Sequence, residues 1–205
     1  MTPEEFKRQL NELRWVIFRG LLFLSVWKAL LVDEEGVASL SLTERNGLLN
    51  RYKGFFAPVV DALREGALIQ FAKVYDTHPK AISLKKLLAA ARREASLAPN
   101  ATVNELRQIA NLFGRAQSVI DNLLKIRNER LAHLDQTPEE IRLMLPELEN
   151  LVEVIKEAFN KLSLAHDNSI YGWEDPQANP ARHTTQILTI LAEAERKRLN
   201  ARPVQ

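Results

Sequence analysis

The chain has 205 residues, of which 46% are hydrophobic, and it carries 28 lysines and arginines against 26 aspartates and glutamates. It contains no cysteine, which excludes disulfide scaffolds, CxxC redox motifs and cysteine-ligated zinc sites. The formal net charge of +2 permits nucleic acid as a partner without arguing for it. Because 32 leucines and 23 alanines stand against only 12 valines, helices are favoured over sheet. We predict an all-α fold.

The first predicted helix begins at residues 2–5, where a threonine cap, a proline and two acids follow one another, and runs to about Leu31. Residues 15–32 are strongly apolar, but Arg19 and Lys28 interrupt them, so the uncharged run is too short for a membrane span. A secretory signal is not expected, because residues 2–14 contain acids and are themselves amphipathic. We therefore expect a central buried helix or one face of a subunit contact, no membrane association and a cytoplasmic protein.

The second predicted helical region extends from near Thr43 to the neighbourhood of Asp76, with a break or kink at Pro58. Ser83 is then expected to cap a short helix rich in alanine and lysine, which ends before Pro99.

The clearest predicted helix opens with a capping box at residues 102–105. Its apolar stripe has helical spacing and consists of Leu106, Ile109, Phe113, Ala116, Ile120, Leu123 and Leu124.

The rest of the chain is predicted as a helix, a long loop and a final helix. A second capping box, at residues 137–140, opens a helix to about Leu164 with a bend at Pro146. Residues 163–184 read as a loop, and the last helix ends near Leu199. The expected architecture is an up-and-down bundle of about six or seven helices.

One charged position on the apolar stripe carries the functional argument. The next residue on the same face after Leu124 is Arg127, and a buried charge is costly unless it is paired or has a function. Arg130 lies at the edge of the stripe, and His133 lies about 120° around the helix from Arg127. The two side chains can converge only if the helix loosens near its end, or if two copies meet across a two-fold axis.

The segment that begins at Arg127 resembles the signature of the HEPN superfamily. In that signature an arginine, usually followed by a polar residue, precedes a histidine by about four to six intervening residues. Here Arg127 is followed by Asn128, and five residues separate Arg127 from His133.

The surrounding sequence is similar to the abortive-infection AbiU branch of that superfamily. Residues 132–135 (AHLD) resemble the end of its motif, and residues 71–76 and 82–88 resemble the upstream part. The resemblance covers about residues 1–165. It implies a HEPN-like bundle over residues 1–165. Outside the resemblance, residues 166–205 are predicted to form a loop and a helix packed on that bundle.

The resemblance implies a metal-independent endoribonuclease that works as a homodimer and needs no cofactor. His133 would be the general base or acid, Arg127 would clamp the phosphate and Asn128 would orient these groups or the ribose. Arg130 would add positive charge along the substrate groove. RNA supplies its own nucleophile, the 2′-hydroxyl, so DNA would be spared.

Three further residues are assigned supporting roles: Asp76, Glu129 and Asp135. Asp135 stands where some superfamily members have a tyrosine that a nucleotidyltransferase modifies, so control by that route is not expected. His78, His166 and His183 have no metal-ligand spacing and are expected at the surface, and no metal site is named.

Structural alternatives remain open at this point. His133 could bind a carbonyl at a helix end or pair with Glu129. Arg127 could form a buried ion pair with an acid from another helix, and Asp76 could be a turn residue.

The predicted function is that of an RNA-cleaving toxin in phage defence or in a toxin–antitoxin system, with an antitoxin protein as a partner. The alternative is a catalytically inactive helical dimer that binds RNA or a protein as a scaffold or regulator.

Overall fold

The computed structural model describes residues 1–31, 40–128, 143–173 and 179–201. Within these ranges the chain forms α-helices and one short 3-10 turn, Ala95–Leu97, and no strand, so the all-α prediction is confirmed. The helices are α1 Pro3–Leu31, α2 Leu42–Arg51, α3 Lys53–Val74, α4 Leu84–Arg93, α5 Val103–Arg115, α6 Gln117–Ile126, α7 Leu145–Asp167 and α8 Pro180–Asn200. None of these described helices combines the length and the apolar composition that crossing a bilayer requires.

The chain divides into two compact units. Unit 1 contains Met1–Gly20 and Leu68–Trp173, and unit 2 contains Leu21–Ala67 and Glu174–Gln205. The division into residues 1–165 and 166–205 stays a prediction.

The core of unit 1 is built on the predicted apolar stripe. Within this unit α4, α5, α6 and α7 pack on one another. Every stripe residue is buried except Leu124, which is half-buried. The capping box that opens α5 is present, with Thr102 and Glu105 exchanging hydrogen bonds. The stripe is therefore confirmed as the buried face.

The expected single helix over the stripe is wrong, because it is two helices. Ala116 leaves the helical conformation at φ −95° and ψ 5° and separates α5 from α6. Gly114 lies two residues before the break, and glycine is a weak helix former. Since Ile120 and Leu123 remain fully buried on the far side, the core face continues across the break.

The predicted break at Pro58 is also wrong, because the helix is interrupted at Tyr52 instead. Since α3 restarts at Lys53, Pro58 falls in its second turn. Helix α3 continues through Pro58, which lacks the N–H for one backbone hydrogen bond; a kink at this residue stays a prediction.

One predicted helix cap and one predicted bend differ from the structure. Ser83 precedes α4 but makes no capping hydrogen bond. Pro146 is the second residue of α7, where proline is well tolerated, and so it opens that helix and does not bend it. The capping box at residues 137–140 lies outside the described residues.

The predicted long loop is shorter than expected. Helix α7 continues to Asp167 and ends at Asn168, whose φ of 60° is the left-handed conformation typical of a helix C-terminus. Helix α8 already starts at Pro180. Its end at Asn200 confirms the last predicted helix.

In unit 2, helices α2 and α8 are joined by ion pairs. Glu195 accepts hydrogen bonds from Tyr52, from Arg51 (2.6 Å) and from Arg198 (3.1 Å). These contacts, with the Tyr52 hydroxyl bond as the largest contribution, lower the pKa of Glu195 to about 2. The same unit contains a buried apolar cluster of Leu30, Leu40, Leu48, Phe56, Leu188 and Ala192.

Candidate functional site

The end of α6 holds Arg127 and Asn128. Buried Ile120, Leu123 and Ile126 fix the orientation of α6 in unit 1. Arg127 keeps helical dihedrals at φ −58° and ψ −47°, and both residues lie in a π-helical turn. Widened turns of this kind are frequent at functional sites.

Arg127 is anchored by two hydrogen bonds. Its Nη1 donates to Oδ2 of Asp76 at 2.8 Å, and its Nε donates to Oδ1 of Asn128 at 3.0 Å. The side chain is 24% exposed and that of Asp76 is 22% exposed, so the pair is largely covered but reachable from solvent. The ion pair that was one of the two interpretations of Arg127 is thus present, with Asp76 as its acid.

Asp76 is positioned by the end of α3. The preceding residue, Tyr75, is 1% exposed and packs edge-on against Phe113 of α5, with ring centroids 5.8 Å apart. Oδ1 of Asp76 accepts the backbone N–H of His78 at 2.9 Å, which is the turn-forming contact expected of an aspartate. The core of unit 1 therefore determines where the acid stands.

The ionised form of Asp76 is favoured by its two partners. Burial, the largest single influence, raises its pKa, but the His78 amide and the nearby Arg127 charge together outweigh it, so the pKa of Asp76 is lowered below its ordinary value of 3.8. At neutral pH Asp76 is a carboxylate that holds Arg127 in place.

Two polar residues that the sequence did not single out as functional are His78, in the loop after Asp76, and Lys86, near the start of α4. The carbonyl of His78 accepts from the Ala81 amide (2.9 Å) and from Nζ of Lys86, which also binds the Ala81 carbonyl at 2.9 Å. Nδ1 of His78 accepts the Lys80 amide at 3.3 Å. The sequence Asp-Thr-His-Pro at 76–79 predicts a turn here, but it gives no sign of a functional role for His78 or Lys86.

Comparison with known proteins identifies the family. A family model for HEPN AbiU2 matches residues 3–186. The chain belongs to the AbiU2 family. No curated protein and no solved structure matches the chain.

AbiU2 membership confirms the resemblance to the AbiU branch and indicates a HEPN-like role of the abortive-infection type. The match extends past residue 165 and reaches into α8. It includes Asp76 and Arg127, the two residues of the ion pair.

The remaining predicted site residues of this AbiU2 chain cannot be placed. Glu129, Arg130, His133 and Asp135 lie outside the described residues, so the convergence of His133 with Arg127 stays a prediction. In the part of the chain that the structure describes, no cluster of three or more histidines and acids could hold a metal ion.

Replacing Asp76 by asparagine is expected to destabilise this AbiU2 chain by about 1–2 kcal/mol at pH 7, because an amide has one acceptor oxygen for two donors and no charge for Arg127. The folded-state pKa of Asp76 is depressed, so its contribution is complete above about pH 4 and is lost as the pH falls through the folded-state value. Urea unfolding of the parent and of Asp76→Asn, at pH 7 and at pH 3, measures the difference in their free energies of unfolding. A gap between parent and Asp76→Asn that is equally large at both pH values would contradict the role of the charge.

Proposed function

We propose that the chain is a metal-independent endoribonuclease that acts in phage defence, by abortive infection or as the toxin of a toxin–antitoxin pair. The observation that carries the proposal is the family match, which includes the segment Arg127 to His133. The anchored position of Arg127 at the end of α6 supports it.

The proposed reaction uses the 2′-hydroxyl of RNA as the nucleophile. A base removes its proton, O2′ attacks the adjacent phosphorus, and the bond from phosphorus to the 5′-oxygen breaks as that oxygen takes up a proton. The products are a 2′,3′-cyclic phosphate and a 5′-hydroxyl. His133 is proposed as the base or the acid, because its ring changes protonation near neutral pH.

Arg127 is proposed to bind the phosphate whose charge increases in the transition state. Its contacts with Asp76 and Asn128 use two of the five N–H donors of the guanidinium. Donors fixed in advance stabilise a developing charge without reorganisation during the reaction. Asn128 keeps the guanidinium in one orientation through its Oδ1, and Arg130 is proposed to attract the RNA backbone.

We propose a homodimer as the working unit. One arginine and one histidine on a single helix face different directions, whereas the arginine of one copy can meet the histidine of another across a two-fold axis. RNA and an antitoxin protein are the proposed partners.

The second candidate function is a catalytically inactive helical dimer that binds RNA or a protein. The specific observation in its favour is the Asp76–Arg127 ion pair, because an arginine paired in this way also has a structural role.

An RNA cleavage assay in the presence of EDTA distinguishes the proposed nuclease from the catalytically inactive binding protein. The purified chain is incubated with end-labelled RNA and with a DNA strand of the same sequence, between about pH 6 and pH 8. We expect RNA fragments that end in a 2′,3′-cyclic phosphate, and intact DNA. RNA that stays intact at every pH would reject the nuclease in favour of the binding protein, which a mobility-shift assay with the same RNA would then test.

A further inference from the structure

The loop from Asp76 to Ala81 carries a histidine two residues after the carboxylate that anchors Arg127. Both oxygens of the Asp76 carboxylate are used, Oδ2 by Nη1 of Arg127 and Oδ1 by the backbone amide of His78. One carboxylate therefore binds the end of α6 and the His78 backbone at the same time. The side chain of His78 itself is exposed.

The backbone around His78 is held from several sides. Its amide donates to Asp76, and its carbonyl accepts from the Ala81 amide and from Nζ of Lys86. An exposed side chain on so firmly bonded a loop loses little conformational entropy when it contacts a ligand.

The ring of His78 is oriented as a hydrogen-bond donor. Its Nδ1 accepts the Lys80 backbone N–H at 3.3 Å, which occupies the lone pair of that nitrogen. The neutral ring therefore carries its proton on Nε2. The backbone contacts of His78 could be made by any residue except proline, whereas the Nε2–H donor requires the histidine side chain.

We propose that His78 is the second donor of a phosphate-binding site beside Arg127, where its Nε2–H and the Arg127 guanidinium contact one RNA phosphodiester. The ligand class follows from the donors, because the unused N–H groups of the Arg127 guanidinium and the Nε2–H of His78 can donate to the oxygens of a singly charged phosphodiester. Lys80 and Lys86, on the same loop and at the start of α4, add positive charge. This inference rests on the proposed function in taking RNA as the ligand.

Binding of a 2′-O-methyl RNA oligonucleotide tests His78 independently of catalysis, because the methylated strand has no nucleophile. The full chain is titrated into the labelled strand and anisotropy gives Kd. Three variants separate the two ring nitrogens. His78→Ala removes both, His78→Asn keeps a side-chain acceptor near Nδ1, and His78→Gln keeps an N–H near Nε2.

We expect Kd to rise about tenfold in His78→Ala and His78→Asn, and to stay within about twofold of the parent in His78→Gln. The matched control is His183→Ala, which removes an exposed histidine from α8 and should leave Kd unchanged. Thermal unfolding confirms that each variant is folded.

The outcomes separate this inference from the proposed function. If the parent cleaves unmodified RNA but His78→Ala binds as tightly as the parent, or His78→Asn binds as tightly as His78→Gln, the inference fails and the nuclease stands. If the parent binds the strand with the expected ranking of variants but cleaves no RNA, the nuclease fails and the phosphate site stands. A parent that binds no RNA overturns the inference outright.

Discussion

Replacing His133 by alanine is expected to lower the rate of RNA cleavage by about two to four orders of magnitude, the usual contribution of a positioned proton-transfer group. The variant removes the only histidine of the motif at residues 127–133, so the 2′-hydroxyl or the leaving 5′-oxygen loses its partner. Because His133 is proposed to transfer a proton and not to bind RNA, the Kd for uncleavable RNA should change little. Single-turnover cleavage with EDTA present measures the rate.

Arg127 is expected to be equally important for RNA cleavage, but the substitution that tests it must be chosen so that the fold is kept. Arg127→Ala removes the phosphate donor but also leaves Asp76 as a half-buried carboxylate without its cation, at a cost of about 1–3 kcal/mol of stability. Arg127→Lys keeps a cation for Asp76 but loses the planar donor fork. We therefore expect Arg127→Lys to fold nearly as well as the parent and still to lose about two orders of magnitude or more in cleavage rate.

Controls for both positions come from one exposed stretch of α8, where Arg182 and His183 are neighbours. Arg182→Ala and His183→Ala should cleave like the parent. Full activity in a folded His133→Ala or Arg127→Lys protein would remove that residue from the mechanism. Activity that survives in both would mean a contaminant or another active site.

The sequence predicted the elements whose signals are local. The capping box at Thr102 and the apolar stripe that follows it were predicted correctly, because each depends on spacings of three or four residues between neighbouring positions. The breaks at Tyr52 and Ala116 were missed. Neither position is a proline, and helix interruptions of this kind are decided by packing that periodicity does not report.

In the candidate site, too, the contacts between residues far apart in the chain could not be predicted from the sequence. Arg127 was identified because a charge interrupted an apolar stripe, but its partner Asp76 lies 51 residues away, so no local spacing could connect them. His78 was assigned to the surface, which is correct for its exposure, whereas the same prediction is wrong for His166, which is buried in α7 with its Nδ1 bonded to the Leu97 carbonyl oxygen. The importance of His78 depends on contacts with Asp76, Lys80 and Lys86, and only the folded loop brings these together.

Replacing Gly20 by alanine is expected to destabilise the protein by about 2–3 kcal/mol, although alanine is the better helix former by about 1 kcal/mol. A Cβ at Gly20 would lie 2.7 Å from Cε1 and 2.9 Å from Cζ of Phe71, and Phe71 is completely buried. An aromatic ring in a close-packed core cannot move aside without disturbing its neighbours.

Gly114→Ala is the matched control in the same unit. Gly114 also lies in a helix, α5, and a Cβ there would meet nothing within 4 Å, so the helix propensity of alanine should raise the free energy of unfolding by about 0.5–1 kcal/mol. Urea unfolding should therefore show that the free energy of unfolding falls in Gly20→Ala and rises in Gly114→Ala.

A double variant tests the clash itself. Adding Phe71→Leu to Gly20→Ala should cost less stability than the sum of the single changes, because the smaller side chain relieves the clash. Additive costs, or a Gly20→Ala protein that is more stable than the parent, would show that a Cβ at position 20 does not clash with Phe71.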